Sequence, residues 1–226
     1  MDYERVGLFD TPIDHINVND VKLAPASKTD LDEFGRRWHY TNSGGNMTWR
    51  YGAWVNNNLI GVIGFNLPTR SVCESVFGAE YFDTIVHMGR LICDESAPKN
   101  IESKIISESL RAIKKDVPQF QAVITYAAPH AGHIGTVYQA TNALYIGLGG
   151  DTRLYIDKEN KQRSTYQHGK NISATMAQEM GWSVSKIPQK HRYLYLLGTS
   201  KNKKYWRKKL KYQVLPYPKL DERTQP

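Results

Sequence analysis

The chain has 226 residues, 40% hydrophobic and 11% aromatic, which suits one or two domains with a buried core and excludes a disordered tail or a disulfide miniature. Its net charge of +8 is concentrated: ten Lys and Arg and no acidic residue fall between Lys186 and Tyr212, leaving 20 basic against 22 acidic residues elsewhere. A nearly neutral domain thus carries a strongly basic segment, whose natural partner is a polyanion, nucleic acid first.

The first 28 residues are mixed, and VNDVKLAP can hold a short strand. From Thr29 to Tyr40, Leu31, Phe34 and Trp38 recur at helical spacing, with Thr29 or Asp30 as the cap and Ser43-Gly44-Gly45 as the break. WRYGAWVN, the turn Asn56-Asn57-Asn58 and LIGVIGFNL read as an antiparallel hairpin. A strand over Thr84 to Cys93 leads through DESAPKN into a helix with Ile101, Ile105, Leu110 and Ile113 on its apolar face. Pro98 or Asn100 suits its first turn, and Lys114 and Lys115 its last. FQAVITYA (120–127) reads as an interior strand. The segment from Thr136 to Tyr145 reads as a helix. Strands follow around Arg153–Asp157 and Arg192–Leu197, with a small helix near 173–180, and KYWRKKLKY can form a further short helix.

Several function classes lose their signals. No apolar run approaches the roughly 18–20 residues of a membrane span, and the N-terminus lacks the apolar region of a secretory signal. The phosphate loop, the dinucleotide glycine motif and HExxH are missing. Cys73 and Cys93 are too far apart for metal spacing and form no disulfide framework. A cytoplasmic setting is expected. The element order implies an α+β fold with a mixed sheet and helices on both faces. It resembles the acyl-CoA N-acyltransferase (GNAT) skeleton, in which the central strand and the next helix N-terminus hold the cofactor pyrophosphate.

An ordered set of motifs goes further. Trp38-His39-Tyr40, YGAWVNNNLIGVIGF, GRLICDESAPKNIESKIISESLRAIKK, TYAAPHAGHIGTVYQATNALYIG, RYLYLLG and PYPK together resemble the Mom family of phage DNA-modification proteins. The resemblance covers roughly residues 30 to 218. It implies a transferase that adds a small acetamide-like (methylcarbamoyl) group to the exocyclic amine of adenine in DNA, hiding sites from restriction enzymes, in a host cytoplasm. Residues 29–200 are then the acetyltransferase-like domain, 1–28 an N-terminal extension or part of it, and 201–226 a basic segment. Two departures stand out. Ala128-Pro129 replaces an expected Ala-Asp-Pro, and DESAPKN replaces the glycine-rich pyrophosphate loop.

An amine delocalised into the adenine ring is a poor nucleophile. The enzyme must position it against an electrophilic carbon, take a proton and stabilise developing charge, on a base flipped out of double-stranded DNA. His39 is a candidate base or a mere helix-terminal cap. Tyr40 is a stacking residue or core packing, and Arg90 an anion clamp or a surface arginine. Tyr138, within GHxGxxYQ, is the preferred acid for the leaving group, and Tyr145 the second choice. Seven residues apart on the expected helix, the two tyrosines would share a face. Asn100 at a helix start can contribute to donor binding, and Asn142 can hold a pantetheine arm. The donor is acetyl-CoA by fold, or another activated donor such as glycyl-tRNA. His130 and His133 are an incomplete metal pair, although an iron site completed by His39 is conceivable. Lys203, Lys204, Arg207, Lys208, Lys209 and Lys211, interleaved with aromatics, are expected to contact DNA. The alternatives are an N-acetyltransferase of a small amine or protein, and a non-catalytic nucleic-acid-binding protein on the same fold.

Overall fold

The computed structural model describes residues 17–39, 41–95, 97–150, 152–163, 166–167 and 170–219. Tyr40 lies outside them. The strands are β1 (Lys22–Pro25), β2 (Trp49–Val55), β3 (Asn58–Asn66), β4 (Ile85–Cys93), β5 (Ala122–Ala127), β6 (Leu144–Leu148), β7 (Thr152–Ile156), β8 (Tyr166–Gln167), β9 (Lys170–Asn171), β10 (Ser183–Ile187) and β11 (His191–Leu196). The helices are α1 (Lys28–Trp38), α2 (Arg70–Phe77), α3 (Ile101–Asp116), α4 (Thr136–Ala140), α5 (Ala174–Glu179) and α6 (Ser200–Lys209). Seven strands form one sheet in the order β1-β2-β3-β4-β5-β11-β6. Only β4 and β5 pair in parallel; all other neighbours are antiparallel. This is the expected mixed sheet.

Each face has its own core. Ile101, Ile105, Ile106 and Ile113 of α3 pack on Ile63, Val86, Val123 and Tyr195. On the opposite face, Leu31 and Phe34 of α1 cover Val62 and Ile92, while Cys73, Val76 and Phe77 of α2 and Trp206 of α6 cover Ile85, Ile124 and Leu194. Val62 and Ile63 therefore serve opposite cores, as the two-residue period of a strand dictates.

Local chemistry explains the boundaries. Ser27 caps α1 in a reciprocal capping box with Asp30, two residues before Thr29 and three before Asp30, the caps expected; the Ser hydroxyl and the Asp carboxylate each satisfy a free N–H. The hairpin turn needs only Asn56 and Asn57, at φ +47° and +63°, the left-handed pair of a two-residue hairpin. The helix expected from Thr136 to Tyr145 stops at Ala140. Thr141 turns its hydroxyl back onto the Val137 carbonyl at 2.7 Å, and Asn142 takes φ +61°. Tyr145 is consequently on β6, paired with Tyr193 of β11, and shares no helix with Tyr138. The strand near Arg153–Asp157 is β7, which leaves the main sheet and pairs with β10.

Candidate active site

The cleft arises from two breaks in regular pairing. Parallel pairing of β4 with β5 covers only Ile85↔Ala122, Val86↔Val123 and His87↔Ile124. After the Thr125 hydroxyl donates to the Met88 carbonyl at 3.1 Å, the strands part. The second break is a bulge on β4: Gly64 pairs with Arg90 but Phe65 with Met88, leaving Gly89 extra. An extra residue reverses the alternation beyond it. His87, which continues the face of Ile85, and Arg90, which shares the face of Ile92, therefore project to the same side although three residues apart. The resulting cleft, about 950 Å³, is lined by Trp38, His39, His87, Arg90, His133 and Tyr138 among others.

His39 caps the end of α1. Its Nδ1 accepts from the Thr41 backbone N–H at 3.2 Å and lies 2.7 Å from the Thr41 hydroxyl, so the neutral ring carries its proton on Nε2. Burial first, then the Arg90 charge and His133, pushes its pKa down to about 4. His87 is the mirror case. Its Nδ1 lies 2.9 Å from the Asn66 amide oxygen, to which it donates, so Nε2 keeps a lone pair. Burial, then Lys190 and Arg90, lowers it to about 4 as well. Two neutral imidazoles of opposite polarity thus face one cleft. His87 was absent from the sequence candidates. Its one signal was Gly89, since a glycine inside a strand marks a bulge.

Both rings resist protonation in the folded chain, so acid should destabilise it. The unfolded chain takes up these protons near pH 6.5, the folded chain only near pH 4. The stability they contribute is present above about pH 6.5 and is lost as pH falls toward 4. Thermal unfolding at several pH values should show Tm falling across that window, and His87→Gln should flatten the fall. An unchanged slope in the variant would contradict the assignment.

Arg90 braces the floor: its Nε donates to the Ser43 carbonyl at 3.2 Å and its Nη1 to the Gly89 carbonyl at 2.8 Å. Tyr138 stands on the wall made by GHIGTVYQ. That wall is fastened from behind by Tyr193, fully buried, whose hydroxyl donates to the Ile134 carbonyl at 2.6 Å and accepts from Gln139 at 3.0 Å. Tyr193 also stacks against Tyr138, ring centroids 5.4 Å apart. The PYPK segment supports the same wall: Tyr217 donates to the Ala143 carbonyl at 2.8 Å, and Gln139 reaches the Pro218 carbonyl at 3.3 Å.

The other expected site residues fall elsewhere. Tyr145 is buried and bonds to His191 Nδ1 at 2.9 Å. Asn142 lines a different groove. Asn100 precedes α3 in a left-handed conformation, without a side-chain cap bond. Ala128 does line the cleft, so no carboxylate occupies that position. His133 reaches the cleft; the side chain of His130 is outside the described structure. Among the described residues no three His, Cys, Asp or Glu side chains gather as a metal site. Of the basic residues, Lys203, Lys204 and Arg207 line the groove shared with Asn142. Lys208 and Lys211 are exposed outside it. Lys209 instead bonds the Tyr81 hydroxyl at 2.6 Å.

The family model of the Mom protein family matches residues 20–219. The chain belongs to the Mom protein family. It is 28% identical over 191 residues to the methylcarbamoylase Mom of Escherichia phage Mu, covering 80% of this chain and 76% of that protein. A transferase is the activity that this Mom membership supports. Among solved structures, the chain is similar to an N-acetyltransferase from Staphylococcus aureus Mu50, at 12% identity, 78% and 97% coverage of the two chains and a TM-score of 0.43. It is also similar to a spermidine/spermine N-acetyltransferase from Vibrio cholerae, at 13% identity, 84% and 98% coverage and a TM-score of 0.45. These are distant likenesses, and the family assignment rests on the Mom match.

An acyl-CoA donor can be tested against these Mom residues. The parted ends of β4 and β5 suit the narrow acyl-bearing arm. The far end departs from a diphosphate site: Asp94, Glu95 and Glu102 line the cleft where β4 passes into α3, and carboxylates there oppose the charge that free helix amides would attract.

Proposed function

We propose that this Mom-family chain transfers a small acetamide-like (methylcarbamoyl) group to the exocyclic amine of adenine in duplex DNA, from an activated donor seated between the parted ends of β4 and β5. The observation that carries the reading is the joint placement of His39, His87, Arg90 and Tyr138 on one cleft.

The flipped adenine lies against Trp38, its amine toward His87. Nε2 of His87 accepts the amine N–H, raising its nucleophilicity, and takes the proton as the new bond to carbon forms. The base role expected of His39 passes to His87 because Thr41 occupies the His39 Nδ1 lone pair. His39, through Nε2–H, and Arg90 donate to the negative charge that develops on the donor. Tyr138 protonates the leaving group. The depressed pKa values of both histidines keep these roles distinct at neutral pH.

Co-expression with plasmid DNA in a bacterium, followed by digestion to nucleosides and mass spectrometry, tests the reading. A heavier adenosine, with the mass increment of an acetamide-like group, is expected. Unmodified nucleosides from cells rich in folded protein would overturn it.

A further inference from the structure

The charge that opened the sequence has a definite address. At the opposite end of the sheet from the cleft lies a groove of about 900 Å³ between the last turns of α3 and the middle and last turns of α6. Its walls carry Arg111, Lys114 and Lys115 from α3, and Lys203, Lys204 and Arg207 from α6, and no lining residue is acidic. Lys114 is engaged by the Phe120 carbonyl at 2.8 Å. The other five cations are exposed and take no part in the ion pairs found among the described residues.

That arrangement crowds like charge, although Lys115 and Arg207 also gain from the negative C-terminal ends of their helices. Arg111 and Lys115, like Lys203 and Arg207, are like charges four apart on one helix, a spacing that destabilises helices. Earlier on α3 the same spacing holds a compensated pair, Lys104 with Glu108 at 2.9 Å. The change from paired to unpaired cations occurs where α3 reaches the groove. The floor, with Leu194, Tyr195, Leu196 and Leu197, is largely apolar, and low-dielectric walls focus the field of the cations above them.

We propose that this groove binds the phosphodiester backbone of duplex DNA, forming a second contact on the substrate, remote from the modified base. The proposal rests on the function given above. Leu196 beside the groove pairs with Ala122, the first residue of β5, whereas Ala127, its last, lines the cleft. At about 3.3 Å per residue the five steps of β5 separate the sites by roughly 17 Å. Along a duplex that distance is about five base pairs. The C-terminal cations therefore act together with α3, which the sequence marked only as a helix.

Anisotropy of a labelled duplex of about two helical turns, measured across a salt series, tests this. Arg111→Glu/Lys115→Glu and Lys204→Glu/Arg207→Glu are each expected to weaken binding at about 0.1 M salt by about tenfold or more, and to reduce the log–log salt slope by about two. Lys158→Glu, on an exposed turn far along the chain, should bind as the unaltered protein does. Melting curves establish folding, and Arg111→Gln/Lys115→Gln replaces the reversal if it fails to fold. Duplex binding unaffected by the α3 changes overturns the proposal. So does a loss confined to a tRNA probe, which would make the groove an RNA site. Nucleoside masses from plasmid co-expression separate the two claims. Modified adenosine with duplex binding indifferent to the groove variants defeats this proposal alone. Groove-dependent binding without modified adenosine defeats the proposed function alone.

Discussion

Plasmid DNA from cells making the Arg90→Ala variant is expected to carry at least about a hundredfold less modified adenosine than DNA from cells making the unaltered protein. Removing one preorganised donor from a site of developing charge costs about 10²–10³ in rate. Here the side chain also braces the Ser43 and Gly89 carbonyls, so its loss releases the loop after α1 that positions His39. Arg90→Lys keeps the charge but cannot span both carbonyls. It should recover part of the activity if charge is the main contribution and little if the brace is. Modification at the unaltered level in folded Arg90→Ala protein would remove Arg90 from the mechanism.

Gly135→Ala should be strongly damaging, although it adds only one methyl group beside the cleft. Gly135 has φ +86°, and a Cβ there would sit 2.5 Å from the Tyr193 ring. The left-handed backbone costs about 1–2 kcal/mol for an alanine, and overpacking adds about 1–3 kcal/mol. Tyr193 cannot yield, because it is fully buried and held at its hydroxyl by Ile134 and Gln139. A fall in Tm of roughly 5–15 °C is expected from a domain of this size, together with displacement of Tyr138 and loss of modification. Gly132→Ala, also at positive φ but with nothing within 4 Å of the added carbon, should cost only the backbone part. Equal Tm values for the two variants would show that the Tyr193 contact is not what constrains the loop.

Much of this architecture was legible because it obeys local rules. The β2–β3 hairpin follows from an Asn turn between alternating apolar runs, α3 from isoleucines at helical spacing, and β5 from a continuous apolar run buried on both faces. What escaped depends on distant parts of the chain. α2 has only eight residues and the Thr69 side chain makes no capping bond to its first turn; its apolar face is defined by Ile85, Ile124 and Trp206, which the fold delivers. The expected helix through Tyr145 failed at one left-handed Asn142 and at strand pairing with β11. In the site, His39, Arg90 and Tyr138 could be picked from motif resemblance. His87 could not, because a histidine in an apolar strand comes to the side of Arg90 only once a bulge resets the alternation between them. The basic segment was visible as composition, but its facing wall on α3 was not, since Arg111 and Lys115 are unremarkable on a charged helix.

The dependence of the Tyr138 wall on Tyr193 bears on how genetic data for this chain would look. The fastening residues sit on β11, more than fifty positions after the loop they hold, and the neighbouring fastener repeats the device: Tyr195 meets the Thr141 hydroxyl at 2.6 Å just beyond α4. A saturation screen for lost modification should therefore mark alternate positions of β11 as intolerant, in the two-residue rhythm of a strand. The intervening Leu194 packs against Trp206 on the other face, so its substitutions should reduce the amount of folded protein first. Comparing activity per folded molecule across these adjacent positions would separate residues that shape the reaction wall from residues that merely hold the sheet together.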